Sequence, residues 1–225
     1  MLLLLSGFVA GSAVLAGSAA KLIAAYLSCA ITVIAYTHYI LQMFPSEGQA
    51  PKKPEPLTWL LFGFLTGTGA VVQVMQSAGA GSWCLLLTSA ACFVISITSY
   101  LRWRSEWRFD RFHRLIAVAS VGLFAFGAMT SHDPRLATLS AVLATAADLV
   151  SYAPTFRKAR LRPHDDSVGN FALNSLKTLP ALYALPAFTL ATAVYLCMLA
   201  IVNSVFALYL YVRQQQPISR AQRAP

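Results

Sequence analysis

The strongest constraint on this chain is a series of apolar runs, each roughly the length a helix needs to cross a bilayer. They lie at 22–43, 57–76, 82–101, 113–130, 136–156, 168–184 and 188–212, preceded by a further run at 2–18. A helix of about 20 residues rises about 30 Å, the thickness of the hydrocarbon core. Between the runs, charge and proline intrude, as in FPSEGQAPKKPEP at 44–56, while 77–81 and 185–187 are short uncharged turns. Only 11% of residues are charged and 57% are hydrophobic. A soluble domain carries roughly 25% charged residues, so composition excludes both a soluble and a disordered chain. The expected fold class is an all-α integral membrane protein with seven transmembrane helices. The N-terminal run reads equally as a signal-like h-region or as an extra helix, for which the GxxxG pair Gly7 and Gly11 would provide a packing face.

The net charge of +9 is spread unevenly between loops. Of 17 Lys and Arg, 13 fall in alternate loops of a seven-span chain: Lys52 and Lys53; Arg102, Arg104, Arg108 and Arg111; Arg157, Lys158, Arg160 and Arg162; Arg213, Arg220 and Arg223. Lys21 and Arg135 sit on the opposite side, and Arg114 and Lys177 just inside helices, where long side chains can snorkel outward. The positive-inside rule then puts the C-terminus in the cytoplasm. The cluster RWRSEWRFDRFHR at 102–114 has a composition that nucleic-acid sites also use, but at a membrane boundary it reads as anchoring to anionic headgroups. The tail at 214–225 is polar.

Cys29, Cys84, Cys92 and Cys197 all lie in apolar runs without CxxC or Cys/His spacing, so neither a disulfide framework nor a metal is indicated. No HExxH, GxSxG or P-loop occurs, and neither a cofactor nor an enzyme activity is expected.

A repeat is visible at the scale of three spans. SCAITVIAYTHYI, a basic Pro-rich loop, PEPLTWLLFGF, a short turn and WCLLLTSAACFVISITSYLRWR are followed later by ATAADLVSYAPTF, RKARLRP, HDDSVGNFALNSL, a short turn and AVYLCMLAIVNSVFALYLYVR. Tyr36 pairs with Tyr152, Thr58 with Ser167, Tyr100 with Tyr211 and Arg102 with Arg213. Two three-span units running in the same direction require one intervening span, which 113–130 supplies. The expected architecture is two parallel three-helix repeats at 21–101 and 131–213, joined by a basic loop and linker helix at 102–130, with the apolar segment 1–20 in front.

Ala147-Asp148, then Ala153-Pro154-Thr155-Phe156-Arg157-Lys158, Pro163 and Asp166-Ser167, together with Pro54 to Thr58-Trp59, resemble the PQ-loop superfamily, which includes the SWEET and SemiSWEET sugar carriers. The likeness covers about 20–213 and is nearest to the bacterial seven-helix members. The usual Pro-Gln dipeptide is Pro154-Thr155 here, its first-half equivalent is His38-Tyr39, and the asparagine of both third helices appears once, as Asn203 opposite Cys92. The resemblance implies a bacterial inner-membrane carrier that moves a sugar-like or amino-acid-like solute by alternating access. It implies Pro154 as the hinge and Asn203 as a substrate contact. The same superfamily fold serves a peptide-retrieval receptor, so a non-transporting receptor or a lipid-interacting assembly protein is the alternative.

From the residues themselves, Asp148 is the one carboxylate expected deep in the bilayer, where a charge costs at least about 2.5 kcal/mol. It reads either as a proton-coupling or substrate-binding group or as a neutral hydrogen-bonded tie. Asn170 and Asn174, spaced i to i+4, and Tyr195 add polar groups that suit a hydroxyl-rich or zwitterionic solute, or that glue helices together. Trp59 at a helix start reads first as an interfacial anchor and second as a surface for ligand stacking. Gln73 reads as interfacial and His38 as structural. Expected partners are a small polar solute, membrane lipids and a further copy of the chain in a homo-oligomer, but no nucleic acid.

Overall fold

The computed structural model describes residues 2–75, 78–104, 106–107, 109–130 and 136–216, with side chains from Ser18 onward except at 72, 75, 127, 128, 130, 137, 140 and 191. The GxxxG side of the N-terminal run, Arg108, Arg135 and the tail from 217 fall outside what is described.

Every regular element among the described residues is a helix, and there is no strand among them. The helices are α1 (Leu2–Gln42), α2 (Pro56–Met75), α3 (Trp83–Trp103), α4 (Arg111–Thr130), α5 (Ala137–Ser151), α6 (Ala153–Leu161), α7 (Val168–Leu176), α8 (Thr178–Tyr183) and α9 (Leu190–Gln215). Three stretches are long and apolar enough to cross a membrane: Ser18–Gln42, Gly79–Trp103 and Thr192–Gln215; Pro56–Val71 is a shorter apolar helix. Outward-facing Ile23 and Ile34 on α1, Ile97 and Leu101 on α3, and Ile201 and Leu208 on α9 are exposed, whereas Ser28, Thr66, Ser96, Asn174 and Asn203 are buried. An apolar exterior around a polar interior suits a hydrocarbon surround and would be a liability in water.

Two of the expected spans are interrupted, and each interruption has a proline beyond it. Pro154 has no N–H to give the carbonyl of Val150, so the run at 136–156 breaks at Tyr152 into α5 and α6. There the Ser151 hydroxyl donates back to the Asp148 carbonyl at 2.6 Å, and the Tyr152 N–H bonds Leu149 O at 3.2 Å, a tighter i to i−3 turn. The helix then resumes and carries Arg157 and Lys158, so part of the basic loop is itself helical. Pro180 likewise deprives the Leu176 carbonyl, and the run at 168–184 breaks at Lys177 into α7 and α8. Carbonyls on either side of the break take side-chain donors: the Ser28 hydroxyl donates to Lys177 O at 2.7 Å, and Thr178 Oγ1 donates to Ser175 O at 2.5 Å.

Capping settles where the helices start. Ser167 caps α7, and Thr189 with Thr192 forms a capping box on α9. On α2 the capping group is not Thr58 but Glu55, whose Oε2 accepts the Thr58 N–H at 2.6 Å and also the Thr58 hydroxyl.

α3 contacts both α1 and α2, and α9 contacts both α5 and α7; α1 also meets α7 and α8, α2 also meets α5, and α4 lies against α5 and α2. Close approach of α2 and α3 depends on Gly63 and Gly67, four residues apart. Ser89 Oγ donates to Gly63 O at 2.6 Å, and a Cβ on Gly67 would meet the same hydroxyl at 2.6 Å.

The loops collect at two ends. At one end Lys53 pairs with Glu106 at 2.8 Å, Arg157 with Asp110 at 2.7 Å, and Arg213 Nη2 donates to Arg160 O at 2.7 Å. At the other, Lys21 Nζ donates to Leu185 O at 2.8 Å and Pro186 O at 3.1 Å, and Gly79, at φ +59°, lies against Pro186.

Candidate functional site

Six of the helical units turn polar or aromatic side chains toward one central cavity. Tyr36 comes from α1, Trp59 and Thr66 from α2, Thr88 and Cys92 from α3, and Asp148 from α5 with Tyr152 at its break. Asn170 and Asn174 come from α7, Lys177 from the next break, and Asn203 from α9. The space open to the centre of a water molecule is about 20 Å³. That is room for about one water, so the walls close around a small polar centre.

Asp148 is 1% exposed. Its Oδ2 accepts from Tyr195 OH at 3.0 Å, and Ser151 Oγ lies 3.4 Å from its Oδ1. Tyr195 OH is also 3.0 Å from Thr66 Oγ1, so α9, α2 and α5 meet through one hydroxyl. Tyr195 stands behind Asp148 and does not line the cavity. Asn203 is held by its Nδ2 donating to Leu199 O at 2.8 Å, and its Oδ1 accepts from Tyr152 OH at 3.2 Å. Cys92 Sγ donates to Tyr36 OH at 3.8 Å. Asn174 Nδ2 donates to Asn170 O at 2.9 Å, and the buried Asn170 Nδ2 has no partner.

Two expectations about depth are corrected here. Trp59 is no interfacial anchor: it is 3% exposed, stacks on Tyr39 with centroids 5.1 Å apart, and meets Phe171 at 6.2 Å. Gln73 is buried as well, with Nε2 donating to Thr192 O at 2.9 Å. His38 is exposed on α1.

The largest correction concerns Lys177. Rather than snorkelling to a helix end, it is 1% exposed, donates to Thr88 Oγ1, and lies 4.9 Å from the centre of the Tyr36 ring. It was visible in the sequence as the one lysine inside an otherwise apolar run, the same signal that singled out Asp148. Its depth followed from the break at Pro180, which periodicity does not reveal.

Between the cavity and the basic end runs a chain of contacts. Trp59 stacks on Tyr39, Tyr39 OH donates to Asp166 Oδ1 at 2.9 Å, and Lys158 pairs with Asp166 Oδ2 at 2.9 Å while also donating to Lys53 O at 2.6 Å. Beyond it lies a wider cavity of about 440 Å³, lined by Pro154, Arg157, Lys158, Trp107, Asp110 and Asp165 among others. Pro154 therefore faces this outer cavity and not the central one. Burial pushes the Asp165 carboxyl up and the Lys52 ammonium down, while the His113 backbone N–H and then Arg157 hold Asp110 well below the usual carboxylate range. Among the described residues no cluster of His, Cys, Asp and Glu could hold a metal ion.

The chain matches no protein-family model, no curated protein and no solved structure.

Proposed function

We propose that this chain is a membrane carrier for a small polar solute, built as a PQ-loop-like bundle of seven spans in which two parallel three-helix units rock around the central cavity. The observation that carries the reading is the cavity itself: charged and amide side chains of the second half, faced by Tyr36, Trp59, Thr66, Thr88 and Cys92 of the first, surround a space closed toward the basic end by Tyr39, Asp166 and Lys158. Carriers bind substrate near the midplane, where interrupted helices supply polar groups, and α5/α6 and α7/α8 are interrupted beside Asp148 and at Lys177.

The repeat has support in the packing. In each half the third helix, α3 or α9, contacts the first two, and the first helix of one half meets the second of the other. Tyr36 with Cys92 and Tyr152 with Asn203 are corresponding pairs. α4, against α5 and α2, fits a linker. The basic end would face the cytoplasm of a bacterial cell, with the C-terminus on that side. In this reading Pro154 is the hinge, Asn203, Asn170, Asn174 and Trp59 contact solute, and Asp148, faced by Tyr195, Ser151 and Thr66, couples transport to protons. Tyr195 acts through Asp148.

The test is uptake into proteoliposomes of sugars, polyols and amino acids at two pH values. A substrate should accumulate with the wild type, Asn203→Ala should lower uptake at least about tenfold, and Asp148→Asn should leave uptake indifferent to pH. Pro154→Ala should slow exchange while binding persists. Saturable binding without uptake would favour the receptor alternative.

A further inference from the structure

The cavity holds one buried lysine and one buried carboxyl group that do not pair with each other. Among the described residues, no carboxylate oxygen lies within 4.0 Å of Lys177 Nζ. An ammonium carries three donor protons, and here one hydroxyl, Thr88, and the face of the Tyr36 ring are its contacts. A buried ammonium without a counter-charge is strongly disfavoured in a low-dielectric interior. The side chain points inward, with Nζ at Thr88 and Tyr36, while the backbone is held at the helix break by Ser28 and by its own N–H on Leu173 O at 2.9 Å. Lys158 shows what a structural lysine looks like in the same molecule: even half-buried, it is matched by Asp166 at 2.9 Å.

We infer that the cavity, which in this closed form has room for about one water and must widen to admit more, takes a zwitterionic, amino-acid-like solute, whose carboxylate is received by Lys177 and whose ammonium lies toward Asp148 and the aromatic walls. The inference rests on the reading of the cavity as a solute site and narrows it. Lys177 has donor capacity to spare for a carboxylate, and the unpartnered Asn170 amide on the same wall is a second donor. Away from Lys177, Asp148 provides the acceptor, and Trp59, Phe62 and Tyr152 add aromatic rings to the lining, a residue type that attracts a cation. One positive and one negative wall group match a solute of zero net charge with both signs. A polyol would leave both wall charges uncompensated, and a simple anion would leave Asp148 so.

The experiment is ligand binding to the purified full-length protein, followed by thermal stabilisation at millimolar concentrations. The probes are each proteinogenic amino acid and γ-aminobutyrate, with glucose and mannitol as uncharged solutes. For the best amino acid, its methyl ester removes the carboxylate charge and its hydroxy-acid analogue removes the ammonium. The expected result is stabilisation by a zwitterion, with affinity at least about tenfold weaker for both analogues. Lys177→Gln should lose at least about tenfold in affinity for the zwitterion and bind acid and ester alike. If that variant does not fold, the acid, ester and hydroxy-acid series on the wild type decides alone. Binding of glucose or mannitol that Lys177→Gln leaves unchanged overturns this inference and leaves the carrier reading standing. Equal binding of the hydroxy acid and the amino acid overturns the zwitterion in favour of a monoanion. No binding by any probe overturns both.

Discussion

Two lysines, the half-buried Lys158 and the fully buried Lys177, divide the molecule into a part that holds and a part that waits. Lys158, at the basic end, has a carboxylate at 2.9 Å and a backbone carbonyl at 2.6 Å. Around it every long loop is tied to another: Lys53 N–H to Asp165 O at 3.0 Å, Gln214 Nε2 to Pro163 O at 2.8 Å, Arg213 to Arg160 O at 2.7 Å. Lys177, in the centre, is less accessible still, yet its company is a hydroxyl and a ring. A satisfied pair fixes an end of the bundle, whereas an unsatisfied charge inside it has a reason to exist only if something arrives to complete it.

That contrast can be broken most decisively at Asp166. Asp166→Ala strands the Lys158 ammonium and frees Tyr39 OH, and should destabilise the protein by about 3–5 kcal/mol, measured as denaturant unfolding in detergent. A loss below about 1 kcal/mol would mean that the latch is not a structural pair. Lys177→Met should have the opposite sign, raising stability by about 1 kcal/mol because a costly unpaired charge is replaced by an apolar chain of similar length. If it unfolds the protein as Asp166→Ala does, Lys177 belongs with the structural lysines.

The smallest change is expected at the exposed Asp110–Arg157 pair, where solvent screens the interaction and Asp110→Asn should leave the melting temperature close to wild type at neutral pH. The sign with pH is definite. Because the folded protein holds Asp110 below its ordinary range, its contribution is complete above the unfolded value of 3.8 and is lost only as the pH falls through the lower folded value. On a His113→Gln background, which removes the imidazole lying 2.7 Å from Asp110 Oδ1, melting temperatures with Asp110 and with Asp110→Asn should therefore keep a constant difference from neutral pH down to about 5. A difference that changes over that range would mean that another group is titrating.

Much of the helical frame was legible because its signals are local. The run at 57–76 became Pro56–Met75, that at 82–101 became Trp83–Trp103 and that at 113–130 became Arg111–Thr130. Apolar length and flanking charge decide those bounds without reference to the rest of the chain. The other spans were less regular, since Pro154 and Pro180 cut helices that hydropathy reads as continuous. In the cavity, Asp148 stood out because a carboxylate among apolar residues has few explanations, and Asn170, Asn174 and Asn203 came with it. Trp59, Gln73 and Lys177 were read as lying near helix ends, and all three are buried inside the bundle.

By itself, then, the sequence determined that this chain builds helices with apolar outer faces and that its basic residues recur in alternate loops. Helix formation and partition into hydrocarbon are sums over neighbouring residues. Only the tertiary structure decided that Asp166 belongs to Lys158 while Lys177 has no counter-charge. Whether a buried charge is paired depends on which side chain of another helix reaches it within a few ångströms, and no property of a single segment contains that distance.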